Sequence, residues 1–90
     1  MAHIIKTDGS VIDVTPKNGT DFELEELNDI VGGHIEIVYL DENDIMVLNE
    51  EGKLIDLPIN NKASLIFQAM TNTFDFVVGD VLICNNEQVK

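Results

Sequence analysis

The fold of this chain is decided by residues Glu23–Leu40, with the sequence ELEELNDIVGGHIEIVYL. Apolar residues recur at helical spacing at positions 24, 27, 30 and 31, which predicts a short amphipathic helix. Gly32 and Gly33 should end this helix, because glycine enters the left-handed conformation of a C-terminal cap without a Cβ clash. We expect a positive φ at one of the two, Gly32 in preference. From position 35 to position 39 apolar residues alternate, which predicts a strand.

The start of this helix has two candidate N-caps. Thr20, with Glu23 three residues later, would form a capping box. Alternatively, Glu23 is the N-cap and Phe22 packs on Leu27 as a hydrophobic staple. We favour the second arrangement because it gives Phe22 a buried position, although Glu is a weaker cap than Ser or Thr.

Turn residues divide the N-terminal half into two predicted hairpins. Asp8-Gly9 lies between the β-prone runs His3–Lys6 and Val11–Val14, which predicts a hairpin closed by a primed turn. The runs Ile35–Leu40 and Ile45–Leu48 predict a second hairpin, whose tip is acidic.

The C-terminal half predicts a further strand and a second helix. Lys53–Leu57 favours a short strand that ends at Pro58, since proline cannot donate to a ladder. Asn60 or Asn61 can cap a helix that continues through Lys62–Met70. The predicted apolar face of that helix is Leu65, Ile66, Ala69 and Met70.

A last strand is predicted at Val81–Cys84, after a turn at Gly79-Asp80. It is apolar on both faces, which is typical of a central strand. The element order is therefore ββαβββαβ. In 90 residues this order predicts a single α+β domain over positions 1–90, with a largely antiparallel sheet and two helices packed mainly on one face.

Charge is the most unusual feature of the composition. The chain has 17 acidic residues, five lysines and no arginine, which gives a formal net charge of −12. Eleven of the acids lie between Lys17 and Lys53, with no basic residue among them. Nucleic acids and anionic membranes both select clustered Lys or Arg, so we expect no direct binding to either. The sequence has no export signal, no membrane-length apolar run and a single cysteine, which predicts a cytoplasmic protein.

No residue pattern indicates catalysis, a cofactor or a metal site. Asp41 and Asn43 begin like a calcium loop, but the required glycine at the sixth position is missing. His3 and His34 lack the spacing of zinc ligands. Cys84 lies in an apolar run that disfavours its thiolate, and no base is signalled beside a nucleophile. We therefore expect a protein that is not an enzyme.

Two groups of acids form the candidate partner surface. Glu25, Glu26 and Asp29 lie on the first helix at spacings of three and four, where like charges repel by roughly a few tenths of a kcal/mol. The second group, at the hairpin tip, is Asp41, Glu42 and Asp44. The same acids also fit a surface that only solvates the protein, and both interpretations stay open.

Several short motifs give the chain a resemblance to a known family. They are Leu27-x-x-Ile30-Val31-Gly32-Gly33-x-Ile35-Glu36, Asn49-Glu50-Glu51-Gly52-Lys53-Leu54, Leu57-Pro58-x-Asn60 and Val78-Gly79-Asp80-Val81. In this order they resemble the domain-of-unknown-function family numbered 3846, over residues 22–83. The resemblance implies a fold and a genomic setting in bacteria, phages or other mobile elements, and it implies no catalytic residue. The residues of these motifs that we expect to be structural are Gly32, Gly33, Pro58 and Gly79.

Two functions fit these observations. The first is a small acidic binding module that acts through contacts with a protein partner, for which a basic surface is the natural complement. The alternative is a DNA mimic, a counter-defence protein whose carboxylates imitate phosphates in a basic cleft. A mimic should lose its partner steeply as salt is raised, because its affinity is mostly electrostatic, whereas a module needs only a few acids and an apolar anchor. The sequence gives no indication of oligomeric state.

Overall fold

The computed structural model describes residues 2–89. Along the chain the elements are β1 (Ala2–Ile5), β2 (Val11–Val14), α1 (Leu24–Val31), β3 (Ile35–Tyr39), β4 (Asp44–Asn49), α2 (Asn61–Thr71), β5 (Val81–Asn85) and a 3-10 helix (Asn86–Gln88). Helices and strands are mixed along the chain rather than alternating as βαβ units, which confirms the predicted α+β class.

Within residues 2–89, β1 to β5 form one sheet in the order β2-β1-β5-β4-β3, and every neighbouring pair is antiparallel. β5 lies at the centre, as its apolar residues on both faces predict. Its register places Ile83 opposite His3 of β1 and opposite Met46 of β4. The edges of the sheet are β2 and β3.

α1 and α2 pack on opposite faces of this sheet, so the prediction that both helices lie mainly on one face is wrong. Along β5, Leu82 and Cys84 belong to the core cluster that contains α1. Val81 and Ile83 belong to or pack against the cluster that contains α2. Side chains alternate between the faces of a strand, and a strand that is apolar on both faces needs a cover on each of them.

The local signals around α1 are met. Phe22 is buried in the same cluster as Leu27, and the helix begins directly after Glu23, which confirms the second N-cap arrangement. Gly32 ends the helix with a φ of 79°, which confirms the predicted positive φ. Leu24 departs from the predicted stripe, because its side chain is 63% exposed.

The N-cap of α2 is Asn60, a buried residue that ties the helix to the sheet. Its side-chain oxygen accepts a hydrogen bond from the N–H of Ala63 at 3.1 Å. Its amide nitrogen donates to the carbonyls of Ile5 at 2.9 Å and Gly79 at 3.0 Å. One side chain therefore caps α2 and joins it to the end of β1 and to the approach to β5.

The buried face of α2 differs from the predicted one: of Leu65, Ile66, Ala69 and Met70, Ile66 packs against the core and the other three are exposed. Ser64 is buried, and its hydroxyl donates to the carbonyl of Val77 at 3.2 Å and accepts from the N–H of the same residue at 2.8 Å. Ile66 and Phe67 pack against the core, whereas Leu65 is 68% exposed and Met70 is also exposed. The face that meets the sheet also contains Ala63, Ile66 and Phe67, which lie at helical spacing, and the hydrogen bonds of Ser64 hold it against Val77.

The segment 53–57 forms turns, and the strand predicted there is wrong. The N–H of Ile55 donates to the carbonyl of Glu51 at 3.1 Å, and the N–H of Leu57 donates to the carbonyl of Gly52 at 3.0 Å. These local bonds satisfy backbone groups that a strand would have paired across a ladder. As a result Leu54 is left in solvent.

The first hairpin forms where predicted but with a different turn. Gly9 has a φ of 92°, whereas Asp8 keeps a negative φ. The N–H of Gly9 donates to the carbonyl of Lys6 at 2.9 Å, and the N–H of Lys6 donates to the carbonyl of Ser10 at 2.9 Å. This is a type I turn followed by a left-handed glycine, so the predicted primed turn is wrong.

The residues Pro58 and Gly79, expected to be structural, contact each other. The N–H of Gly79 donates to the carbonyl of Pro58 at 2.8 Å. Gly79 has a φ of 78°, and a Cβ atom at this position would lie 2.8 Å from Cδ1 of Leu57. The contact lies beside an isolated bridge between Ile59 and Val78, which closes the connection that carries α2.

Candidate interaction surface

Glu26, one of the three acids predicted on the exposed face of α1, is buried. Its side chain is only 9% exposed and accepts from the N–H of Glu23 at 3.4 Å and from the N–H of Lys17 at 3.3 Å. The reason is its place three residues after the N-cap, where a carboxylate reaches back to free backbone donors. The solvent-facing acids of α1 are therefore Glu25 and Asp29.

The acidic tip, defined as Asp41, Glu42 and Asp44, is exposed and its backbone is fixed. The Asp41 carboxylate accepts from the N–H groups of Asn43 at 2.8 Å and Asp44 at 2.7 Å. These hydrogen bonds favour the charged form and lower the pKa of Asp41. The tip also rests on Asn86, which donates to the carbonyls of Asn43 at 2.7 Å and Glu42 at 2.9 Å.

The structure brings the acidic tip and the start of α1 to the same end of the sheet. The 3-10 helix links them, because Asn86 bonds the tip while Phe22 donates to the carbonyl of Gln88 at 2.6 Å. Glu25, in the first turn of α1, thus lies at the end that holds the tip. Asp29 lies in the last turn, where it lines an open pocket with Asp80. The six predicted acids do not form one surface.

Within residues 2–89, the recorded ion pairs leave Glu25, Asp29 and the acidic tip without a cation. Those pairs join His3 to Asp13, Lys6 to Asp80, His34 to Glu51 and Lys53 to Asp75. The shortest of these contacts joins Lys53 to Asp75, at 2.6 Å between Nζ and Oδ1. The lysines and histidines in these ion pairs therefore contact other acids than those predicted to bind a partner.

A groove on the α2 side of the sheet is the feature that sequence reasoning missed. It has a volume of about 160 Å³ and runs between β3, the turn after β4 and the segment before β5. The floor consists of partly or fully buried apolar side chains, namely Val38, Leu48, Phe67 and Val77. On the rim Leu54 is 83% exposed and Phe76 is 59% exposed. Three acids, Glu36, Glu50 and Asp75, line it as well.

The groove lies beside the free edge of β3. The carbonyl of His34 accepts from the N–H of Glu50 and the N–H of Leu40 donates to the carbonyl of Asp44, each at 2.9 Å. Hydrogen-bonded pairs recur at every second residue of an antiparallel ladder, so positions 36 and 38 also bond to β4. The backbone groups of positions 35, 37 and 39 consequently point outward, away from the sheet.

Two signals in the sequence pointed to this region without identifying it. The run Phe74-Asp75-Phe76 follows a helix and has no period of its own, and Phe74 proves to be 99% exposed. The alternation in β3 marked a strand but not its place at an edge, because strand order depends on contacts far apart in sequence. Groove and edge become visible only when α2 is known to cover the second face.

The thiol, the side chain best suited to nucleophilic chemistry, lies outside this region. Cys84 is buried in β5, and burial together with the nearby Asp44 charge raises the pKa of its thiol to about 11. No group of three or more His, Cys, Asp or Glu side chains suited to a metal ion occurs between positions 2 and 89. Within the same range no helix is long and apolar enough to cross a bilayer.

Comparison with known proteins agrees with the motifs of the sequence. Neither the curated proteins nor the solved structures contain a significant match to this chain. A family model does match, over residues 2–89, which extends the likeness from the region 22–83 to β1, β2 and the 3-10 helix. The chain belongs to the family described as Domain of unknown function (DUF3846).

Proposed function

We propose that this chain is a non-catalytic binding module of the cytoplasm, from a phage or other mobile element, and that it acts by contacting a protein partner. The observation that carries the proposal is the set of large apolar side chains left in solvent around the groove. Leu54 and Phe76 form the rim, and Phe74, two residues before Phe76 in the sequence, is almost fully exposed. Exposed apolar patches of this kind are typical of interaction sites.

The energetic argument compares these side chains with the acids. Burying Leu54 or Phe76 against a partner contributes on the order of 2 kcal/mol each. An exposed ion pair contributes less than about 1 kcal/mol, because water screens it. The apolar rim thus supplies the affinity, while a charge of −12 speeds encounter with a basic surface.

The absence of catalysis in this proposal is supported by the state of the thiol. Cys84 lies in the central strand with a pKa of about 11, so very little of it is thiolate at neutral pH. The groove itself contains carboxylates and one lysine, and Lys53 is engaged by Asp75. These side chains of the groove suit binding of a partner better than covalent chemistry.

The test is site-specific photo-crosslinking in the native host. A photoreactive phenylalanine analogue replaces Phe76, and a matched chain carries it at Leu24, which is similarly exposed on the opposite face of the sheet. We expect one protein to be captured from position 76 and not from position 24. That protein, once purified, should bind the wild-type chain and bind Leu54→Ser more weakly. Equal capture from both positions, or no binding by the purified protein, would contradict the proposal.

A second candidate, the DNA mimic, is favoured by the unpaired acidic tip and the adjacent first turn of α1. The two proposals differ in how the purified partner responds to salt. A mimic should lose affinity by orders of magnitude between low and high ionic strength, and should compete with duplex DNA. A module anchored at the groove should retain most of its affinity.

A further inference from the structure

We propose that the free edge of β3 binds an extended, basic segment of the partner as a sixth, antiparallel strand. This inference rests on the proposed function and specifies its binding mode. The edge offers outward backbone groups at Ile35, Ile37 and Tyr39 in regular spacing, because the bonded positions between them face β4. Such an edge is a template for another strand.

The edge is also poorly protected against pairing. β3 has the sequence IEIVY, with no proline, no lysine and no bulge that would blunt it. Tyr39 and Ile37 are exposed on the α1 side of the strand. Between positions 2 and 89, β3 pairs with β4 alone. Its outward hydrogen-bonding groups are therefore available to a partner.

The groove determines which side chains the added strand should carry. Glu36 and Val38 are on the face of β3 that lines the groove. Residues of an added strand opposite these two positions form non-hydrogen-bonded pairs, in which side chains lie closest. An aliphatic residue opposite Val38 would extend over the apolar floor. A Lys or Arg two residues later, opposite Glu36, would form a cross-strand ion pair. The recognised pattern is thus aliphatic-x-basic.

Charge identifies the occupant as a basic segment rather than a second copy of this chain. Glu36 and Glu50 line the groove, while its lysine, Lys53, is held by Asp75 at 2.6 Å. A second copy pairing through the same edge would bring its own Glu36 to that edge and add a further charge of −12. A segment with a Lys or Arg at alternate positions avoids both the repulsion between two Glu36 side chains and the repulsion between two acidic chains.

The probe for this mode is a capped peptide, Thr-Val-Thr-Lys-Thr-Val-Thr-Lys, with a control peptide in which Glu replaces Lys. We expect the basic peptide to slow amide hydrogen exchange at Ile35, Ile37 and Tyr39, and the acidic peptide to have no effect. At the opposite edge, the outward amides of Val11 and Asp13 should be unaffected. Protection at both edges alike, or at neither, would overturn the proposal, and so would dimerisation through β3 without peptide.

The decisive variant is Ile37→Pro, which removes an outward N–H without breaking a bond to β4. We expect it to weaken peptide binding about tenfold or more, which corresponds to one lost hydrogen bond and the disrupted register around it. Val11→Pro makes the matched change at the β2 edge, where it removes an outward N–H without deleting a charge, and should leave binding unchanged. Glu36→Gln, which preserves the backbone, should reduce affinity for the basic peptide alone. Unchanged binding in Ile37→Pro would exclude the edge mode.

The same variants separate failure of the binding mode from failure of the proposed function. If position 76 captures a partner that Ile37→Pro still binds at wild-type strength, the protein is a binding module but does not use the edge. If position 76 captures no partner, the proposed function itself fails. If capture succeeds and Ile37→Pro weakens the purified partner, both stand.

Discussion

The two faces of the sheet are closed in different ways. On the α1 face, signals adjacent in sequence decide the outcome: a staple from Phe22 to Leu27, and a left-handed cap at Gly32. On the α2 face, buried polar side chains decide it, since Asn60 and Ser64 bond to segments far away in the chain. Both faces leave apolar side chains in solvent: Leu24 and Tyr39 on the first, and Leu54 and Phe76 on the second, where the groove lies.

The two faces show that polar and apolar contacts together orient α2. Ala63, Ile66 and Phe67 lie at helical spacing and face the sheet, and the hydrogen bonds of Asn60 and Ser64 hold the helix in the same orientation. Leu65 lies outside this face and is exposed.

The largest expected effect comes from truncating a buried apolar side chain on the α1 face. Leu27→Ala should lower the free energy of unfolding by about 3 kcal/mol, because a fully buried leucine leaves a cavity when truncated. Leu65→Ala, the matched change on α2, should alter it by less than about 0.5 kcal/mol, since that side chain is exposed. Urea unfolding of both variants measures the contrast. Similar losses in the two variants would show that the faces do not differ as described.

A slightly smaller effect is expected from removing the polar anchor of the α2 face. Asn60→Ala should lower the free energy of unfolding by about 2 to 3 kcal/mol, because it deletes the cap of α2 and removes the hydrogen bonds that Asn60 donates to the carbonyls of Ile5 and Gly79. Asn61→Ala, at the neighbouring exposed position, is the control and should be nearly neutral. If both variants unfold at the same urea concentration as wild type, apolar contacts rather than Asn60 hold α2.

The same contrast explains how much of the fold the sequence predicts. Around α1, each signal and its partner lie within ten residues, so the bounds of the helix and its glycine cap were predicted from residues 22–33. The central place of β5 was predicted as well, because apolar residues on both faces require cover on both sides.

The rest depended on contacts that periodicity does not encode. Asn60 or Asn61 was predicted as the cap, and the cap proves to be Asn60, whose bonds to Ile5 and Gly79 span 55 and 19 residues. Those bonds join the start of α2 to the end of β1 and to the segment before β5, contacts that no pattern within residues 61–71 shows. Glu26 counted as a surface acid because its charge suggested solvent, while its position made it a backbone acceptor. The groove and the free edge of β3 were missed for the same reason. Both depend on how the strands and α2 lie against one another, and the sequence of a single element does not show this.

Cys84 offers a pH-dependent test of the α1 face, whose core it joins. Burial raises the pKa of its thiol from an ordinary value of 9.0 to about 11. As pH rises, the unfolded chain therefore releases this proton before the folded protein does. The contribution of the Cys84 thiol to the free energy of unfolding should be fully present below pH 9 and should be lost between pH 9 and pH 11. By pH 10.5 the loss should be on the order of 2 kcal/mol.

The measurement for this prediction is urea unfolding at pH 8 and pH 10.5, for wild type and Cys84→Ala. The variant should lack the part of the pH-dependent loss that the thiol contributes, although it will be less stable at both values through lost packing. In the folded protein the thiol should also react slowly with a thiol reagent and quickly in denaturant. Fast labelling of the native protein would place β5 in reach of solvent.

The smallest expected effect concerns the acids of α1. It compares two exposed acids with a buried acid on the same helix. Glu25 and Asp29 are four residues apart and exposed, so their like charges oppose the helix. The double change Glu25→Gln with Asp29→Asn should raise the free energy of unfolding by about 0.3 kcal/mol. Glu26→Gln removes one charge as well, but from a buried acceptor of backbone N–H groups, and should lower it by about 1 kcal/mol. Thermal unfolding at low salt distinguishes the two signs. If the double variant also slows association with a captured partner, these acids steer binding; if the rate is unchanged, they only solvate α1, and the acidic tip is the remaining candidate for steering.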